Sequence, residues 1–191
     1  MKIILASQSP RRQELLRQVG VKFRVVTADV DESPGRGRDA RSVCRRNATA
    51  KAAQVAKRFP KQTVLGADTL VHLGDEMFGK PSSLAEARRM LRRLSGHTHR
   101  VTTACALIQG KRKRVFSVTT RVTFRELSDR QISNYIQAVP VLDKAGAYAV
   151  QEKGEWVVEA SRGSLTNVVG LPLERLQSEL SAWFDTASSR T

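Results

Sequence analysis

Apolar residues recur along this chain in two rhythms, short continuous runs and helical spacings, and the polar positions that break them are few. Ile3 to Ala6 is a short apolar run that reads as a strand, and Gln13-Glu14-Leu15-Leu16-Arg17 reads as a helix. Between them stands Ser7-Gln8-Ser9-Pro10-Arg11-Arg12. Ser9 suits an N-cap and Pro10 the first helical position. Arg11 and Arg12 then sit in a first turn, where the helix dipole favours acids. An anion bound at that end resolves the conflict. A capped surface helix with solvated arginines is the other reading.

Gly20 suits a C-cap, and Phe23 to Val26 reads as a strand ending in the acidic step Asp29-Val30-Asp31-Glu32. Ser33 to Asp39, with Pro34, Gly35 and Gly37, reads as a loop. A helix follows from about Ala40 to Arg58, carries Lys51 mid-length and stops at Pro60. Thr63 to Val71 is a near-continuous apolar run, the pattern of a strand covered on both faces. Asp68 interrupts it beside Gly66 and Ala67. A carboxylate there is expensive unless paired or bound to metal. A strand end with Asp68 capping a turn is the plainer reading, and a functional carboxylate the sharper one.

Gly74-Asp75-Glu76 reads as a hairpin turn, and Ser82 or Ser83 as the cap of a helix to about Leu94. Thr98–Ile108 and Arg114–Phe124, rich in Val and Thr about Gly110 and Lys111, predict a β-hairpin. Ser128 caps a helix from Asp129 to about Ala138. Asp143 to Tyr148 reads as a loop, Trp156 to Glu159 as a strand, and Asn167 to Pro172 as a turn into the last helix. The interleaving predicts an α/β sheet with helices on its faces and a hairpin arm. With no linker, residues 1–185 read as one domain and 186–191 as a polar tail.

The 191 residues are enough for a core without staples. No apolar run approaches the ~20 residues of a membrane helix, and the N-terminus is too quickly polar for a signal peptide. Cys44 and Cys105 lie far apart without metal-ligand spacing, so a reduced, cytoplasmic setting is expected. The net charge of +15 favours nucleic acid, an anionic membrane surface or a polyanionic small substrate. The basic residues are spread out, however, with short clusters at Arg36–Arg46, Arg88–Arg93 and Lys111–Arg114. Arg88, Arg89, Arg92 and Arg93 read as the solvated face of an amphipathic helix. No aromatic residue interleaves with a basic stripe, as stacking on single strands requires.

The polar residues that punctuate apolar elements are Ser7, Arg11, Arg12, Glu32, Lys51, Asp68, Lys80, Asp143, Lys144 and Gln151. Cations for phosphate oxygens and carboxylates for a divalent metal are the parts of phosphoryl or nucleotidyl chemistry. A carboxylate also takes a proton from attacking water. Cys44 reads as packing, and His97 and His99 as structural more readily than catalytic. Neither a Gly-x-Ser-x-Gly elbow nor a Walker loop is present, which argues against a serine hydrolase or a P-loop enzyme.

Seven stretches stand in order: Ala6 to Arg12, Asp29 to Glu32, Gly66 to Thr69, Gly79-Lys80-Pro81, Leu94-Ser95-Gly96, Asp143 to Tyr148 and Asn167 to Pro172. Together they resemble the Maf family of nucleoside triphosphate pyrophosphatases. The resemblance implies a cytoplasmic house-cleaning enzyme, often a homodimer, with a mixed α/β sheet and flanking helices in two lobes around a central cleft, similar to the inosine triphosphatase fold. It implies hydrolysis between the α and β phosphates, with Mg²⁺ or Mn²⁺. Asp68 matches the family's proton acceptor, and Arg12, Thr69 and Gln151 its substrate-choosing positions. Ser9, Arg11, Arg12, Lys51 and Lys80 match phosphate-binding positions, and Glu32 and Asp68 metal-binding ones. The branch acting on dTTP and UTP is resembled, with CTP or modified pyrimidine nucleotides as further candidates. A branch acting on 7-methyl-GTP has Trp in place of Arg11 and Gln in place of Thr69. Asn47 and Thr49 depart from the Ala and Glu expected near Lys51. The charge leaves a second expectation, a non-enzymatic basic protein that binds nucleic acid or regulates cell division.

Overall fold

The computed structural model describes residues 2–31 and 39–188. One mixed sheet runs through it in the order β2-β1-β3-β5-β6-β7, with β4 pairing β3 off that path. The strands are β1 (Lys2–Leu5), β2 (Lys22–Val25), β3 (Val64–Leu73), β4 (Glu76–Phe78), β5 (Thr98–Gln109), β6 (Arg112–Phe124) and β7 (Val158–Arg162). β1 pairs in parallel with β2 and β3, whereas β5, β6 and β7 continue antiparallel from β3. The helices are α1 (Pro10–Gln18), α2 (Ala40–Arg58), α3 (Leu84–Leu94), α4 (Asp129–Ala138), α5 (Leu165–Val169) and α6 (Leu173–Ser188).

The alternation of strand side chains divides the core. Ile3, Leu5, Leu65 and Ala67 face one side and pack with Leu15 and Leu16 of α1 and Leu176, Leu180 and Trp183 of α6. Ile4, Ala6, Val64 and Ala104 face the other and pack with Cys44, Ala48, Ala52 and Val55 of α2. Beyond the middle of β3 a separate cluster begins, in which Val71, Val101, Val122 and Phe124 meet Leu91 and Leu94 of α3 and Ile132 and Tyr135 of α4. The two lobes expected of the fold are the part built on the first two clusters and the part built on the third, joined by β3, β5 and β6.

Local rules account for most element ends. Pro10 opens α1, and Gly20 follows its end with φ +67°, a left-handed turn that favours glycine. Asp39, Ser83 and Ser128 cap α2, α3 and α4 with their side chains, and Gln131 closes a capping box with Ser128. Ser9 stands at the N-cap of α1 but makes no side-chain capping bond; its N–H donates to Ser7 Oγ at 3.3 Å.

Three expectations need correction. The β5–β6 hairpin is no arm: it lies at the centre of the sheet and spans both lobes, because its long strands carry apolar residues for two cores. Trp156 belongs to a 3₁₀ turn, Gly154–Trp156, and the strand starts only at Val158, where pairing with β6 becomes available past a register shift at Thr123 and Phe124. Asn167 to Val169 are helical, since Ser164 accepts from the Asn167 N–H and starts the short turn α5.

Candidate active site

Between the two lobes lies a cleft of about 580 Å³, within the usual range of small-molecule sites. Its walls come from the β1–α1 turn, α2, the middle of β3, the loop after β4, the 143–151 segment and the turn before α6. Ser9, Arg11, Arg12, Lys51, Asp68, Thr69, Lys80 and Gln151 all line it, residues up to 142 positions apart in sequence. Glu32 falls outside the described residues.

Asp68 points to the α2 side and is 4% exposed. Lys51 Nζ donates to its Oδ1 at 2.8 Å and Asn47 Nδ2 to its Oδ2 at 3.0 Å. Lys51 and Asn47 are 7% and 4% exposed and lie one helical turn apart on α2, on the same face. α2 can come this close because position 66 is glycine. A Cβ there would stand 2.7 Å from Ala52 N and closer still to Ala48 O. The buried carboxylate is thus paired, as its desolvation requires. Each of its oxygens keeps a lone pair beyond the donor it already has.

Thr69 faces the α1 side. Arg12 forks there: Nε donates to Gly170 O at 3.0 Å, Nη1 to Ser7 Oγ at 3.0 Å and Nη2 to Thr69 Oγ1 at 3.1 Å. Thr103 Oγ1 gives its single proton to Asn167 O at 2.8 Å, so in the 2.9 Å pair between Thr69 and Thr103 the donor is Thr69. The lone pairs of Thr69 are then left for Arg12.

Arg11 reaches across the cleft mouth. Its Nη1 lies 2.6 Å from Asp143 Oδ2 and its Nη2 donates to Asp143 O at 3.0 Å. Burial alone would raise the Asp143 carboxyl, but the hydrogen bonds from Lys144 and Arg11 outweigh it and hold the group below its usual range. Lys144 Nζ is buried and donates to Pro140 O at 2.6 Å and Asp143 Oδ1 at 2.8 Å. Lys144 therefore holds the 140–144 loop. Lys80 and Gln151 are exposed on the cleft rim.

The structure thus brings together every predicted site residue that it describes. Asn47 was missed; the signal was a polar residue four positions before Lys51 on an otherwise apolar helix face. His99 is not in the site: it is buried, pairs with Tyr148 Oη at 2.8 Å through Nε2 and packs edge-on against Phe124. Cys44 and Cys105 are buried free thiols, and desolvation pushes both up, Cys105 to about 12. Both pack in the core, Cys105 on the α1 side of the sheet and Cys44 on α2.

The family model described as "Maf-like protein" matches residues 2–183. A dTTP/UTP pyrophosphatase from Akkermansia muciniphila is 47% identical over 171 residues, which cover 90% of this chain and 90% of that protein. One from Myxococcus xanthus is 51% identical over 171 residues, covering 90% of this chain and 87% of its own length. Among solved structures, the Ham1 protein of Staphylococcus aureus superposes with a TM-score of 0.44 at 16% identity, over 81% of this chain and 90% of that one.

Proposed function

The chain belongs to the Maf-like protein family, and from that premise we propose that it hydrolyses nucleoside triphosphates, dTTP and UTP foremost, to the monophosphate and pyrophosphate, clearing the nucleotide pool. The observation that carries this reading is Asp68, a buried and paired carboxylate at the joint of two lobes, facing a cleft lined with cations.

The triphosphate lies along the cleft with its phosphates toward Arg11, Lys80 and the start of α1, whose first turn holds no acid. Asp68 orients a water against the α phosphorus and takes its proton. The bond from the water oxygen to that phosphorus forms as the bridging bond to the β phosphate breaks, and pyrophosphate leaves with the electron pair. Lys51 holds Asp68 in place through its 2.8 Å contact with Oδ1. The base lies toward Arg12, Thr69 and Gln151. Gln151 presents both a donor and an acceptor, which suits a pyrimidine edge.

The donor set fits Mg²⁺ or Mn²⁺. Among the described residues no three His, Cys, Asp or Glu gather, yet Mg²⁺ typically takes one or two carboxylates and completes its shell with substrate phosphates and water. Asp68 has lone pairs left for that role, and Glu32 is the second candidate. Bound there, the ion would neutralise charge on the phosphates. The reading further takes the enzyme to be a cytoplasmic homodimer; among the described residues no helix is long and apolar enough to cross a membrane. The net charge does not support nucleic-acid binding as a second reading, since arginines of α3 are tied to neighbours, Arg92 to Asp129 and Arg93 to Glu76, both at 2.7 Å.

The test is pyrophosphate release from dTTP, UTP, CTP, GTP and 7-methyl-GTP with Mg²⁺ or Mn²⁺, with Asp68→Asn as control. Release from dTTP and UTP, lost in the variant by a factor of ~10²–10⁴ as for a general base, is expected. Turnover of 7-methyl-GTP alone overturns the base preference, and a fully active Asp68→Asn overturns the role of Asp68.

A further inference from the structure

We propose that Asn47 is a positioning residue for the reaction: its side-chain amide fixes the rotation of the Asp68 carboxylate so that an unused lone pair faces the attacking water. The inference rests on the pyrophosphatase reading and adds to it a residue in the stretch near Lys51 where this chain departs from the Ala and Glu its family resemblance leads one to expect.

The position itself asks for an explanation. Asn47 lies on α2 among Val43, Cys44, Ala48 and Lys51, all buried. An amide buried without a partner costs ~1–3 kcal/mol, so an apolar residue would be the cheaper occupant of this face. Asn47 Nδ2 instead donates to Asp68 Oδ2 at 3.0 Å, and both residues are 4% exposed. The amide can face only this way. An ionised carboxylate is acceptor-only, so the flipped amide would set oxygen against oxygen. Arg46 Nη2, 3.5 Å from Asn47 Oδ1 and at the long limit of a hydrogen bond, agrees with that orientation.

The torsion that turns a carboxylate about its last carbon–carbon bond is broad and soft. One donor leaves it soft: Lys51 is a point charge on a flexible stem and can follow either oxygen. Two donors, one per oxygen and one helical turn apart, define the plane of the group. Lys51 holds Oδ1 at 2.8 Å and Asn47 holds Oδ2. Both come from a helix whose distance to β3 is set by the close approach at Gly66. Rate is sensitive to such placement, because small misorientations of a catalytic group cost far more in turnover than in binding.

The experiment compares the wild-type chain with Asn47→Leu and Asn47→Ala in single-turnover pyrophosphate release from dTTP and Mg²⁺, together with thermal melts. Leu keeps the volume and Ala leaves a gap, but both lack the donor. Both variants should lose about tenfold in the rate of the chemical step, the scale of one hydrogen bond to a charged group. KM should stay within about twofold, as for a group acting only on the reacting geometry. The melting temperature should follow volume, Ala below Leu. A Leu variant with wild-type rate overturns the proposal. So does a raised KM at unchanged rate, which would make Asn47 a substrate contact. If the wild type releases no pyrophosphate from any triphosphate, the functional reading itself has failed, and the proposal with it.

Discussion

Asp68 and Thr69 are consecutive on β3 and face opposite ways, Asp68 to Lys51 on α2 and Thr69 to Arg12 on α1. The period of two along a strand therefore places the proposed proton acceptor and the proposed base-selecting contact on the two sides of one backbone. It follows that the two tasks are separable by mutation. Thr69→Val keeps the shape and removes the hydroxyl, and with it one contact each of Arg12 Nη2 and Thr103 Oγ1. We expect the ratio of kcat/KM for dTTP over CTP to shift by about tenfold, the worth of one hydrogen bond to a charged group. The maximal rate on dTTP should stay within about twofold, because Asp68 and its donors are untouched. Steady-state kinetics on both nucleotides checks this. Equal losses in rate for both would mean that the two faces are not independent.

Much of this arrangement is legible in the chain before folding. The pairing of Ser9 with Pro10, the interrupted apolar run at Asp68 and the caps at Ser83 and Ser128 follow from rules that act within a few residues, and the structure places them accordingly. What is not legible depends on partners distant in sequence. The grip of Arg11 on Asp143 spans 132 positions and has no local signature. The central place of the β5–β6 hairpin depends on which neighbour β3 accepts, which strand propensity does not state. Asn47 was visible as a polar residue on a buried face, but its meaning needed the carboxylate opposite.

The buried ion pair predicts opposite outcomes for stability and activity. Removing Lys51 alone breaks the buried pair and leaves Asn47 Nδ2 as a donor to the buried Asp68 carboxyl, which costs ~3–5 kcal/mol. Replacing both partners with apolar residues of similar volume, Lys51→Met with Asp68→Leu, removes the desolvation cost as well. The double variant, which also leaves the buried Asn47 amide without Asp68, should then unfold in urea within ~1–3 kcal/mol of wild type, while Lys51→Met alone unfolds before it. Neither should release pyrophosphate. A double variant less stable than the single one would show that the pair is needed for the fold as much as for the chemistry.

Acid should act first through His99, which is not among the residues lining the cleft. Burial, with a smaller contribution from the neighbouring His72, lowers its imidazole from 6.5 to about 4. The ring is sandwiched edge-on by Phe124 and Tyr148, and its Nε2 pairs with Tyr148 Oη. The unfolded chain therefore binds a proton near pH 6.5, while the folded chain stays neutral until about pH 4. Stability is complete above 6.5 and falls as the pH drops toward 4, because in that window the unfolded state holds more protons. The carboxyls held low by their partners, Asp39, Glu86, Asp129, Asp143, Glu174 and Glu179, start from ordinary values of 3.8 or 4.5, so their losses come lower. His72, also lowered chiefly by burial, adds a slope of the same sign to any variant that keeps it. Comparison with His99→Gln isolates the one ring. Between pH 7.5 and 5 the wild type should lose about 2 kcal/mol more of its unfolding free energy than the variant, by proton linkage. Urea titrations at the two pH values measure it. Parallel losses in the two proteins would mean that His99 is already protonated in the fold, and that Tyr148 Oη accepts from an imidazolium.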